Sequence, residues 1–393
     1  MIRYQETLPA TADLVVVGGG IVGAATAFFA TAAGLSTVLL ERRAAVATLT
    51  TPASTGAFRL QFDNRDEWEL VRESVAVFES FAEVTGQRVH ASGIARHGYL
   101  FCTTEAARAR AQGALVGRQH EWGQTDIELL DGDEVRRRFP FISPTVVSAR
   151  FRGADGFVDP VAVTRGFLAG SSAVVVTGCG ATGFSLAGGG LTGVETALGT
   201  IATGAAVIAA GPFSGHLAGS LGISLPIAVI DRQKVVVPDL PEVPPDAPMT
   251  IDDDTGTHWR PYEGGAAVLF TDPDATPTEP AERVGVDRRH AESVLDPASP
   301  RAAARIAPFW RTVWERRPAW TAHTGQYVMT PDHRPLLGPV GPSGLFVNTG
   351  YSGHGIMGSP AGSRHLVDLI VGRASKNPFA VDRAMVERAR DVL

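Results

Sequence analysis

Apolar positions along this chain follow three rhythms, and each predicts a different element. The first is the short unbroken run. Leu14–Val17, Thr37–Leu40, Ala173–Thr177, Ala205–Ala210 and Leu345–Val347 are bounded by glycine or polar residues and read as strands. The second is helical. From Asp66 to Thr85, Val71, Val75, Phe78 and Ala82 recur on one face, and Gly86 closes the segment. Further helices are expected over Ala24–Ala33, Thr104–Trp122, Pro160–Ala169, Arg283–Val294, Pro300–Ile306 and Ser363–Val371. Asp131 with Glu134 forms a capping box for a short helix ending near Phe139 and Pro140. The third rhythm is β-branched and alternating. It predicts strands over Gly93–Thr103 and Ile227–Pro238, a hairpin over Thr257–Thr271, and shorter strands at Gly183–Leu186, Gly193–Ala197 and Thr200–Ile201. Residues 239–256, rich in Pro and Asp, read as a surface loop or hairpin tip.

The order of elements matters more than their number. Between Asp13 and Glu41 the chain runs strand, glycine turn, helix, strand, with Gly18, Gly20 and Gly23 in G-x-G-x-x-G spacing. Gly18 permits the turn, Gly20 lets backbone approach a pyrophosphate, and Gly23 allows close helix–sheet packing. The helix start presents N–H groups and a positive dipole end to phosphates. Glu41 ends the second strand, where a carboxylate accepts hydrogen bonds from a ribose diol and repels a 2′-phosphate. This is dinucleotide-binding text, compatible with FAD or NAD. Arg42 and Arg43 read as solvated loop charges. A second strand–glycine turn–helix closes the chain: four glycines fall between Gly350 and Gly358, with His354 among them.

Composition narrows the class. With 393 residues and 44 % apolar content, two or three cores are available. The net charge of −6 and the absence of a basic stripe argue against nucleic acid and against a membrane surface. Cys102 and Cys179 share no C-x-x-C pattern, read as free buried thiols, and leave no metal site expected. The first residues have no apolar core of a signal peptide, and Leu14–Leu40 is too interrupted by glycine and polar residues for a membrane span. A cytoplasmic location is the expectation.

Five segments together resemble one family. VVVGGGIVGAATA with VLLE, STGAFR, VIAAGP, TPDHRPLLGP and GYSGHGIMGSPA stand in the order found in the FAD-dependent D-amino-acid oxidase, glycine oxidase and sarcosine oxidase superfamily, nearest the sarcosine oxidase and proline dehydrogenase β-subunit branch. The resemblance implies an α/β fold: a Rossmann-like FAD-binding domain of the GR2 type, with an inserted α+β substrate domain on a mixed or antiparallel sheet. The expected boundaries are 1–92, 145–225 and 322–393 for the discontinuous FAD domain, and 93–144 and 226–321 for the substrate domain. It implies that Gly18, Gly20, Ile21, Val22, Gly23 and Glu41 hold the ADP half. Arg42, Ser54, Thr55, Gly56, Ala181 and Gly211 lie nearby, and Gly353, His354, Gly355, Ile356 and Met357 line the flavin's pyrimidine edge. Three departures stand out. The place of a flavin-tethering cysteine falls at Gly325, so FAD is expected to be non-covalent. The place of an oxygen-activating lysine falls near Val268, which favours a dehydrogenase. The family's carboxylate-holding cations fall at Met357 and Phe62, leaving Arg59 in that region.

The chemistry expected is oxidation of a C–N bond in an amine or amino-acid-like substrate, by hydride transfer to flavin N5, with hydrolysis of the imine. An apolar pocket keeps the amine neutral, so no strong general base is required. His354, Arg59, His258 and Tyr327 are the candidate catalytic groups, with His97 and Arg260 as further polar contacts. His97 is otherwise a structural histidine within its strand. A flavin dehydrogenase acting on a C–OH bond, with His354 or His258 as base, is the alternative; a flavin-binding subunit of a larger complex is a third. The expected partners are a small-molecule substrate, and a second copy of the chain or an electron acceptor.

Overall fold

The computed structural model describes residues 1–87, 89–272 and 274–386. Two large sheets organise them. The first has seven strands in the order Arg3–Tyr4, Val174–Thr177, Thr37–Glu41, Leu14–Val17, Ala206–Ile208, Leu345–Thr349 and Leu336–Pro339. All neighbours are parallel except the last pair. Strand alternation sends Leu14 and Val16 to one core and Val15 and Val17 to another. On the first face lie the helices Ile21–Ala32, Arg65–Glu79, Pro160–Gly170 and Gly355–Ile370. On the second lies a three-stranded antiparallel sheet formed by Ala181–Ala187, Gly190–Thr196 and Gly199–Ala202.

The second sheet has eight strands in the order Thr321–Met329, Ala228–Val237, Gly265–Phe270, Thr257–Tyr262, Met249–Asp252, Tyr99–Thr103, Ser148–Arg152 and Glu128–Asp131. One face buries Val235, Trp259 and Val268 against the helices Arg288–Leu295 and Phe309–Glu315. Register then dictates the other face. Lys234 pairs Leu269, which pairs His258, which pairs Ile251, which pairs Phe101, which pairs Arg150. Because side chains across a ladder share a face, cations are placed on the side opposite the apolar core.

Several expectations change. Residues 148–152 and 322–329, which fall inside the expected FAD segments, lie in strands of this second sheet. Met249–Asp252, expected in a loop, is a fully buried strand. The 66–85 helix breaks at Ser80 into Arg65–Glu79 and Phe81–Thr85. The last helix begins at Gly355, not Ser363, and carries Pro360 inside it. No helix among the described residues is long and apolar enough to cross a membrane.

Candidate active site

One elongated cavity runs between the sheets, from Glu41 at one end to Tyr327 at the other. The glycine turn builds the first end. Gly18 sits at φ 120°, and a Cβ on Gly23 would lie 1.8 Å from the Gly18 carbonyl oxygen. Only glycine at 23 lets the helix Ile21–Ala32 start this close to its strand. That helix has no side-chain cap and no acidic residue in its first turn, so its positive end faces the cavity through Gly20, Ile21 and Val22. The Glu41 carboxylate is oriented by two backbone donors, Gly19 N–H at 2.8 Å and Arg43 N–H at 2.7 Å. Arg42 lies over the Phe213 ring at 3.4 Å, and Arg42 and Arg43 both pair with Glu282 at 2.6 Å. They are therefore paired charges at the cavity mouth rather than freely solvated ones. Ser54, Thr55, Ala181 and Gly211 line the same end or its middle.

The C-terminal turn builds the other end. Gly353 has φ 92°, and a Cβ there would lie 2.6 Å from the Tyr327 ring. The helix that follows also lacks a side-chain cap and a first-turn acid, and Gly353, Gly355 and Ile356 line the cavity. The two uncapped helices are stitched together. Asn348 Nδ2 donates to Thr26 Oγ1 at 3.0 Å and to Ser363 Oγ at 3.1 Å, and Tyr351 OH donates to Asn348 Oδ1 at 2.7 Å. Above this end stand Arg232, Lys234, Leu269 and Tyr327 from the second sheet. Lys234 is buried, with Nζ donating to the Ser54 carbonyl at 3.1 Å. Burial, reinforced by repulsion from Arg260, pushes its pKa down to about 8.

Not every expected residue reaches the cavity. Gly23 and Gly56 are packing positions, Gly56 against the Val158 carbonyl, and Met357 belongs to the core. The His354 side chain turns away from the cavity. Its Nδ1 lies 3.2 Å from Glu67 Oε1 and its Nε2 lies 3.4 Å from Arg59 Nη2. Arg59 is not a surface charge: it is 2 % exposed, donates to the Gln61 carbonyl and lies 4.5 Å from the Phe62 ring. Burial lowers its pKa. His258 does not line this cavity either. Its Nδ1 lies 3.0 Å from the Gly256 carbonyl, and burial pushes its pKa down to about 4. Tyr327, of the four catalytic candidates, lines the cavity.

Sequence reasoning missed Lys234. The Val268 position faces the opposite core, while Lys234, on the strand hydrogen-bonded beside it, faces the cavity. A signal was available: Arg232 and Lys234 share one parity of a strand whose other parity carries Val235 and Val237.

The donor set fits FAD. Two uncapped helix N-termini, a ribose-facing carboxylate and a small-residue floor lie along one cavity, as a dinucleotide with a second anionic pole requires. A Rossmann-type sheet and a second mixed sheet closing over one dinucleotide cavity define a nucleotide-dependent redox enzyme. More particularly, the chain belongs to the FAD dependent oxidoreductase family (DAO), whose model matches residues 13–369. It is 24 % identical over 379 residues to the mitochondrial dimethylglycine dehydrogenase of Mus musculus, covering 92 % of this chain and 42 % of that protein. The chain thus spans under half the length of that relative. Its fold is similar to L-proline dehydrogenase from P. horikoshii (TM-score 0.81, 21 % identity, 95 % of this chain and 96 % of that one). It is equally similar to glycine oxidase from Geobacillus kaustophilus (TM-score 0.81, 22 % identity, 96 % and 100 %).

Proposed function

We propose that this FAD-dependent oxidoreductase oxidises the C–N bond of an amine or amino-acid-like substrate and holds its FAD without a covalent bond. The observation that carries the reading is the chemistry of the inner end of the cavity. Its charged side chains there are Arg232 and Lys234, beside Tyr327, and among the described residues no carboxylate or histidine lines that end. The lining carboxylate, Glu41, belongs to the glycine-turn end, and the lining histidine, His216, is exposed beside Phe213. When bound, FAD supplies the hydride acceptor. The protein's part is to seat the substrate's α-carbon and to keep its nitrogen neutral. Lys234, with its pKa near 8, takes the proton from the substrate ammonium as the pH rises through about 8. The relatives described above are named for dimethylglycine, proline and glycine, which agrees with a small amino-acid-like substrate. Non-covalent attachment is supported by Gly325, which lines the cavity, and by Cys102 and Cys179, which are buried elsewhere.

The test is anaerobic flavin absorbance of the FAD-loaded protein, titrated with secondary amines, N-methyl amino acids and 2-hydroxy acids, then exposed to air. Bleaching by an amine, with ammonia or a primary amine as product, is the expected result. Bleaching by hydroxy acids alone would overturn it in favour of C–OH oxidation. The rate of colour return in air separates an oxidase from a dehydrogenase, and acid precipitation that leaves FAD in solution checks the non-covalent bond.

A further inference from the structure

A second cavity, of about 610 Å³, shares the Ser54–Thr55 wall with the first. It is lined by groups the proposed chemistry does not use. Arg260 is the principal one. Its Nη1 donates to the Pro261 carbonyl at 3.1 Å, and its Nε is buried with no partner. The guanidinium lies 4.2 Å from the Phe157 ring centre and 4.9 Å from that of Tyr262. Several inward-facing arginines are neutralised: Arg152 pairs with Asp155, Arg305 with Asp252 and Arg383 with Asp332. Arg150, also buried and without a carboxylate at ion-pair distance among the described residues, lies over the Phe101 ring and donates to the Gln61 carbonyl, away from this cavity. Among the described residues Arg260 forms no such pair. Lys234 stands against the same tyrosine, 5.0 Å from its ring, and it too lacks a carboxylate at ion-pair distance. Two cations therefore flank one aromatic ring, and the acid close enough for both to feel is the exposed Glu263 at the rim. The other lining acid, Asp159, is exposed and caps the helix Pro160–Gly170 by accepting from the N–H groups of Val161 and Ala162. His97 adds an unpartnered Nδ1, with its ring edge-on to Phe157 at 5.8 Å.

Cations held out of water without a counter-charge are costly, and the cost is relieved when an anion arrives. We propose that this cavity binds the carboxylate of a small molecule, with Arg260 as its main partner and His97 as a second hydrogen-bonding group. Two sources share that chemistry: a second acidic arm of an amine substrate reaching past Ser54 and Thr55, or a separate small carboxylate. The first source rests on the amine-oxidising reading; the anion site does not.

The experiment is calorimetric titration of the full, FAD-loaded chain with glutarate at low ionic strength. Saturable binding is expected, weakened about tenfold or more in Arg260→Gln and partly restored in Arg260→Lys. Glutarate should also slow phenylglyoxal modification of Arg260 in the unmutated protein, a readout that needs no variant to fold. Equal binding by Arg260→Gln, no binding by the unmutated protein, or unprotected Arg260 would overturn the proposal. Steady-state kinetics then assign the source. A KM raised by Arg260→Gln for an amine with two carboxylates, but not for one with a single carboxylate, supports the substrate arm. Glutarate binding that persists beside a saturating one-carboxylate amine supports the separate ligand. Glutarate binding lost in Arg260→Gln while no amine bleaches the flavin would sink the amine reading and leave the anion site standing.

Discussion

Lys234 concentrates the energetics of the site in one side chain. It is 3 % exposed, its ammonium has one hydrogen bond, and its pKa falls from 10.5 to about 8. That displacement corresponds to roughly 3 kcal/mol disfavouring the charged form in the fold. Because the folded pKa is below the unfolded one, the cost is fully present below pH 8 and fades as pH rises towards 10.5. Lys234→Met should therefore raise the unfolding temperature at pH 7, and its advantage should shrink as pH approaches 10.5; an advantage independent of pH would contradict this account. On the proposed reading, the same pKa governs activity. In the unmutated protein kcat/KM should climb with pH through about 8 as Lys234 becomes able to accept the substrate's proton. Lys234→Met should lose that limb and roughly 100-fold in rate. A limb that survives the substitution assigns it to the substrate amine alone.

The two uncapped helices make the cavity a dinucleotide site, and the second one turns on Gly353. An alanine there would be strained at φ 92° and would push its Cβ to within 2.6 Å of the Tyr327 ring. Gly353→Ala should weaken FAD binding by more than about tenfold while leaving far-ultraviolet circular dichroism intact; retention of FAD at the unmutated level would dissociate this turn from the cofactor. The start of this helix was not legible in the sequence. Gly355, Gly358, Pro360 and Gly362 read as a turn by local propensity, yet they are helical because Tyr351 packs along them. A Cβ on Gly362 would fall 2.3 Å from the tyrosine oxygen. The strand Met249–Asp252 was hidden for a related reason. Its three neighbouring aspartates look like a surface loop, and the group that admits Asp252 to the interior is Arg305, 2.8 Å away and far along the chain. The glycine-turn unit, by contrast, was legible: its two strands to within a residue and its helix to within three at the start, since strand, turn, helix and Glu41 are all determined by contacts inside one short segment.

At the scale of the whole molecule, the sequence disclosed which half binds the dinucleotide but not how the second sheet faces it. Arg150, Lys234 and Arg260 are far apart along the chain, and only register brings them to one face of the second sheet. The placement of His354 was hidden in the same way: its neighbours Gly353 and Gly355 reach the cavity, while its ring contacts Glu67 and Arg59, nearly 300 residues earlier. The joint between the halves is polar and buried. Asp155, fully excluded from solvent, accepts Leu60 N–H at 2.9 Å, Gln61 Nε2 at 3.0 Å and Arg152 Nη1 at 2.6 Å. Leu60 and Gln61 follow the FAD-side segment, whereas Arg152 ends a strand of the second sheet. Arg152 has a second carboxylate, Asp126, which is half exposed at 49 %. The two acids separate a joint from a surface pair. Asp155→Ala leaves Arg152 and two donors facing a void, a loss of about 3–5 kcal/mol. It should lower the unfolding temperature by several degrees and loosen FAD, because the second sheet forms the upper wall of the FAD cavity. Asp126→Ala removes a water-exposed partner and should cost under about 1 kcal/mol with FAD affinity unchanged. Thermal melts of both variants with and without added FAD decide the matter. Comparable losses from the two substitutions would mean that the halves are held by apolar contact alone, and that the buried carboxylate is a passenger at their seam.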